Sequence, residues 1–181
     1  MTEDLKREFL LISKGNELAF NEFMNRYMEG LYFHAYGILS NKEMAEEVVS
    51  DVFLEAWRNR KKLSKIANMK GWLNTIAYHK AISYLRKEKK HGRDVSMDEL
   101  ASFCFPVMDT PVDGIISKEE VNALHASIDE LSPRCRQVLF LAKFEQLPYA
   151  QIAQALDLSL ATVNYHVATA MDSLRKKLSH G

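Results

Sequence analysis

The chain has 181 residues, enough for one large or two small domains. Hydrophobic residues make up 47% of it, with only 7 glycines and 4 prolines, a composition that speaks against a disordered chain and against a turn-rich β fold. Its 24 basic and 24 acidic side chains cancel, which at first sight disfavours a nucleic-acid binder, but the charges are segregated along the chain.

Residues 1–57 are acidic, with net charge −6. From Asn16 to about Leu39 the apolar residues Ala19, Phe20, Phe23, Tyr27, Leu31 and Ala35 recur at helical spacing, and Ser40-Asn41 offers a break and a cap. The next pattern is stronger. Ala45, Val48, Val49, Val52, Phe53, Ala56 and Trp57 form an unbroken helical stripe for a core. Glu47, Asp51, Leu54 and Arg58 lie on another face of the same helix. A leucine among exposed charges is either an ordinary surface residue or an anchor for a partner protein.

Residues 58–93 carry net charge +11. A basic stretch containing Lys61 and Lys62 leads into a helix expected over about 68–89. Met69, Leu73, Ile76, Ala77, Ala81 and Tyr84 form its core side, and Trp72, Thr75, His79, Ser83 and Arg86 line a second stripe, with Lys87 beside it. Cations hold phosphates without reading sequence, and aromatic rings stack on unpaired bases. The same composition also suits a solvated basic face with a core behind it, and residue types alone do not separate the two.

Residues 91–117 change character. They hold Gly92, Pro106, Pro111, Gly114 and five acids, and no period persists, so they read as a flexible linker. Beyond it, Val121, Leu124, Ile128 and Leu131 suggest a short helix. Ser132-Pro133 caps a second one, whose apolar positions are Val138, Leu139, Leu141 and Ala142. Residues 148–174 have the layout of a helix-turn-helix. Ile152, Ala153 and Leu156 face inward, Asp157-Leu158-Ser159 turns, and Val163, Val167, Ala170 and Leu174 dock the last helix. Ser159, Ala161, Thr162, Asn164, Tyr165, His166, Thr169 and Arg175 are its candidate DNA-reading residues. Asparagine can pair with adenine, and a threonine methyl can touch thymine. A plain helical hairpin has the same spacing, and this helix has no Lys or Arg before Arg175.

The expected architecture is therefore all-α, with two small helical domains (1–92 and 118–181) joined by an acidic linker (93–117), the second a helix-turn-helix. No apolar run reaches the roughly 18 residues of a membrane span, and Met1-Thr2-Glu3-Asp4 lacks a signal-peptide pattern, so a cytoplasmic protein without membrane insertion is expected. Cys104 and Cys135 form no CxxC pair and read as reduced thiols. No phosphate-binding loop, metal-ligand spacing or nucleophile elbow is present, so neither an enzyme nor a metal or other cofactor is expected.

In order and spacing, three segments resemble the extracytoplasmic-function sigma factors: 45–57 (AEEVVSDVFLEAW), 72–86 (WLNTIAYHKAISYLR) and 151–163 (QIAQALDLSLATV). The resemblance covers roughly residues 16–90 and 118–178. It implies that the first segment docks on the clamp helices of RNA polymerase core, giving Glu47, Asp51, Leu54 and Arg58 a partner. It implies that the second, with Lys61, Lys62, Trp72, Thr75, His79, Ser83, Arg86 and Lys87, reads the minus-ten element of promoter DNA and captures a flipped base. The helix-turn-helix would read the minus-thirty-five element, and an anti-sigma factor is a further implied partner. His79 and Ser83 stand where many relatives have Asn and Asp, and Asn164, His166 and Thr169 stand where basic residues are common; promoter preference should differ accordingly. A stand-alone helix-turn-helix regulator is the alternative reading of the second domain.

Overall fold

A computed structural model of the chain describes residues 2–90, 103–106 and 117–179. Within them the chain is helical, with no strand. Most of the acidic linker, including Gly92, Pro111 and Gly114, lies outside the described residues.

Helix α1 (Glu3–Ser13), which the sequence reading left out, packs on the core through Phe9 and Ile12, with Leu5 one turn before them. Helix α2 (Glu17–Leu39) starts at Asn16, whose side chain accepts from the Ala19 N–H, and ends with Ser40 in the left-handed region. Asn41 caps α3 (Lys42–Arg58) in the same way, accepting from the Met44 N–H at 3.0 Å. Such caps each contribute about 1 kcal/mol by satisfying an otherwise orphaned donor. A 3-10 turn over Arg60–Lys65 leads to α4 (Met69–Lys90). Helices α2, α3 and α4 pack on one another through the stripe expected for α3, with Ala45, Val48, Val52 and Ala56 fully buried, and through Leu73, Ala77 and Ala81 of α4.

In the second half, Ser117 and Glu120 form a reciprocal capping box at the start of α5 (Lys118–Asp129). Ser132 caps α6 (Pro133–Leu139), with proline in its first turn. The helix does not continue regularly: Phe140–Phe144 form a π turn, in which the Glu145 N–H reaches the Phe140 carbonyl. Helices α7 (Tyr149–Leu156) and α8 (Leu160–Leu178) meet at a turn in which Asp157 takes positive φ and Ser159 caps α8. Val163, Val167, Ala170 and Leu174 dock α8, as their spacing predicts.

The two halves share one continuous core. Helix α4 packs on α7, and α2 on the π turn. Within the linker, Phe103, Phe105 and Pro106 are buried, and the Cys104 N–H donates to the Gly37 carbonyl at 2.8 Å. This apolar strap was not visible as a period, since it is one segment four residues long.

Glycines mark where the halves meet. A Cβ on Gly37 would lie 2.3 Å from the Phe103 ring and 2.9 Å from the Cys104 carbonyl oxygen, whereas one on Gly30 would meet only the carboxylate end of Glu145. Alanine in a helix interior is otherwise worth about 1 kcal/mol over glycine. Unequal costs are therefore expected on chemical denaturation. Gly37→Ala should cost about 1–3 kcal/mol by overpacking a rigid ring and backbone, and Gly30→Ala should be close to neutral, because the Glu145 carboxylate can swing aside and the helix gain offsets its lost bond from Asn74.

Candidate functional site

The four charged and apolar positions singled out on α3 line three recesses, the first two of which adjoin through Glu46 and Ser50. Leu54, 46% exposed, lies in an open groove of about 970 Å³ between α2 and α3. The groove floor is Phe20, Phe53 and Trp57, with Glu17, Glu29 and Glu46 among the residues at its wall. Glu47 and Asp51 belong to a neighbouring acidic recess with Glu43 and Tyr84. Arg58 belongs to a basic cup with Arg60, Lys61 and Lys62. Sequence reasoning missed the α2 wall of the groove: Asn21, Met24, Met28 and Tyr32. Their spacing of 3, 4 and 4 was a legible second stripe, off the core face of α2.

Tyr84, expected in the core, is half-buried. Its hydroxyl donates to Asp51 Oδ2 at 3.2 Å, which ties α4 to α3. Desolvation, with Asp51 and Glu47 nearby, pushes the phenol up to about 12, so it stays a donor. Tyr84→Phe removes that bond from a partly exposed carboxylate. It should lower stability by about 0.5–1.5 kcal/mol, read as a shift in denaturation midpoint.

On α4 the second stripe grades from buried to open. Trp72 and Thr75 are half-buried, and the Thr75 hydroxyl is turned back to the Gly71 carbonyl at 2.7 Å. His79, Ser83, Arg86 and Lys87 are exposed; Ser83 bonds the His79 carbonyl, and Lys87 lies over the Tyr84 ring. Lys61 and Lys62 are exposed on the preceding 3-10 turn. Not every cation of the basic block is available for phosphate: Arg60 stacks over Trp57 at 4.7 Å, and Lys80 pairs with Glu55 at 3.2 Å.

On α8, Ala161, Asn164, Tyr165, Thr169 and Arg175 are exposed, Tyr165 at 66%. Ser159 and Thr162 are occupied in the cap: Ser159 Oγ accepts from the Thr162 N–H at 3.1 Å and meets its hydroxyl at 2.7 Å. Asn164 donates to the Leu160 carbonyl. His166 is drawn inward, with Nδ1 3.1 Å from Cys135 Sγ. Its pKa is lowered, first by burial and then by Arg134, which favours the neutral ring. His166 thus braces α8 against α6, while Asn164, Tyr165 and Thr169 point outward. Among the described residues no cluster of His, Cys, Asp and Glu is placed to hold a metal, and no helix is long and apolar enough to cross a membrane.

The two halves coincide with two family models. Residues 23–91 match the Sigma-70 region 2 model, and residues 122–174 match the Sigma-70, region 4 model, together about two thirds of the chain. The chain belongs to the extracytoplasmic-function sigma factors of the sigma-70 family. It is 25% identical to the ECF RNA polymerase sigma factor SigW of Bacillus subtilis, with 96% of each chain covered. It is 26% identical to the ECF RNA polymerase sigma factor SigK of Mycolicibacterium vanbaalenii, over 98% of this chain and 91% of the other. Among solved structures, this sigma factor shares its fold with CnrH in complex with the cytosolic domain of CnrY (TM-score 0.56, 20% identity, 96% of both chains). It shares it equally with the sigma factor RpoE in complex with the anti-sigma factor NepR from Bartonella quintana (TM-score 0.56, 22% identity, 98% of both chains). The α1–α4 half of this sigma factor thus holds region 2 and the α5–α8 half region 4.

Proposed function

We propose that the protein binds core RNA polymerase, directs it to specific promoters and helps to melt the DNA there. The observation that carries this is the pairing, on one small domain, of an acid-rimmed apolar groove on α2–α3 with a basic, aromatic stripe on the adjacent α4. The first suits a protein partner and the second suits unpaired, negatively charged DNA. Leu54, Glu47, Asp51 and Arg58 are the proposed polymerase contacts. Trp72, Thr75, His79, Ser83 and Arg86, with Lys61, Lys62 and Lys87, are the proposed minus-ten and melting contacts. Ala161, Asn164, Tyr165, Thr169 and Arg175 of α8 are the proposed readers of the upstream element, with Ser159, Thr162 and His166 holding that helix in place.

On this reading the protein does no chemistry of its own and needs no cofactor; bond formation belongs to the polymerase. It acts in the cytoplasm, where core polymerase is, and an anti-sigma factor of the kind bound to its structural relatives is a proposed partner. A stand-alone helix-turn-helix regulator would leave the groove and the α4 stripe without a task. Size-exclusion co-elution of the purified chain with core polymerase tests the assignment: a stable complex is expected, and separate elution of a folded chain would overturn it.

A further inference from the structure

We propose that His34 is a proton-operated latch between the two domains: as the neutral ring it ties α2 and α4 of the first to α6 of the second, and as the imidazolium it lets them part. His34 is fully buried, in a helix of the first domain, yet one of its two partners belongs to the second. Its Nδ1 lies 2.8 Å from Asn74 Oδ1 on α4, and its Nε2 lies 3.2 Å from Gln137 Nε2 on α6. Both amides are oriented by their other bonds. Asn74 Nδ2 donates to the Lys70 carbonyl and to Glu145 Oε2, so its oxygen must face the ring. Gln137 Oε1 accepts from Arg134, so its NH₂ must face the ring. Only one tautomer fits, with Nδ1–H donating to Asn74 and bare Nε2 accepting from Gln137.

A second proton on Nε2 would set donor against donor. Rotating Gln137 does not relieve this, because its NH₂ would then point at the Arg134 guanidinium. The two rings beside it supply no hydrogen-bond acceptor for a second N–H: Phe140 of the π turn stacks at 6.1 Å, and Phe103 of the strap lies at 6.3 Å. The charged groups around the ring are each one residue removed, Glu145 behind Asn74 and Arg134 behind Gln137. A buried polar chain of this kind is sound when every member is satisfied and costly when one is not.

Burial therefore lowers the ring's pKa to about 4, with the Asn74 bond opposing in part. In the parted state the ring is wet and near its ordinary value of 6.5. The latch is fully effective above about pH 6.5 and is lost as the pH falls towards about 4. Between about pH 7.5 and pH 5 the ratio of closed to parted molecules should fall about 30-fold. The meaning of parting for DNA rests on the function proposed above, but the test uses neither DNA nor polymerase, so either can fail without the other.

Small-angle scattering of the full chain across this range, with circular dichroism on the same samples, reads the latch directly. The expected result is a radius of gyration that grows on acidification at constant helix content, and a size independent of pH in His34→Gln. The carbon-13 shift of the His34 imidazole gives a variant-free check, since the ring should take up its proton together with the expansion. An unchanged size, expansion only with loss of helix, the same expansion in His34→Gln, or protonation of His34 without expansion would each overturn the proposal.

Discussion

Core RNA polymerase should bind the Leu54→Arg variant at least about 30-fold more weakly than the parent chain, the loss expected when a central anchor worth about 2 kcal/mol is removed. Leu54 is 46% exposed in the free chain, so its replacement leaves no cavity in the core. The residues around it supply the rest of the argument. Met24 and Met28 face it across the groove and can adapt to an apolar partner, but not to a buried guanidinium. Titration of core polymerase by fluorescence anisotropy gives the affinity, and an unchanged melting curve shows that the fold is intact. Equal affinity for both chains would remove the groove from the polymerase interface.

The second large effect is expected at Trp72. Stacking of an unpaired base on an aromatic ring is worth about 1–3 kcal/mol, so Trp72→Ala should reduce the open fraction of a promoter by about 5- to 150-fold. Binding to the closed duplex should change little. Permanganate footprinting of unpaired thymines measures opening, and a filter-binding assay at the same salt measures duplex affinity. Trp72 is half-buried, so part of the loss will come from packing. Trp72→Phe separates the two, since it keeps a stacking ring in a smaller shape and should recover most of the opening. Equal loss in opening and in duplex binding would count against a melting role for this face.

Much of this was legible in the residues alone, and the exceptions share a cause. The α3 stripe, the linker position, the Ser132-Pro133 cap and the α7–α8 turn are local patterns, and local patterns survive in a sequence. Helix α1 is an exception of another kind: Leu5, Phe9 and Ile12 lie at i, i+4, i+7 and pack on the core, a period short enough to pass unread. The π turn after Leu139 breaks a helix that the apolar spacing presents as continuous. Spacing alone places Tyr84 in the core, but its hydroxyl donates to the Asp51 carboxylate and leaves the ring half-buried. His166 was grouped with the exposed readers because helical spacing does not show that Cys135 lies behind it. The His34–Gln137 bond joins residues 103 apart, where no pattern could report it. The helical stripes and caps are visible from the spacing; the contacts that join one domain to the other are not.

The docked strap also sets how far apart the two domains can stand. Promoter elements centred at minus ten and minus thirty-five are about 25 base pairs apart, or about 85 Å of duplex at about 3.4 Å per pair. A chain spans at most about 3.5 Å per residue. With Phe103 and Cys104 held against α2 at Gly37, about 13 residues remain before Ser117, a tether of about 45 Å. Adding about 13 Å for the radius of each domain still leaves the pair short. Released, the roughly 27 residues from the end of α4 to Ser117 reach about 95 Å. On the function proposed above, the few residues around Gly37 and Phe103 would act as a length gauge, with both elements within reach of one molecule only after the strap has let go.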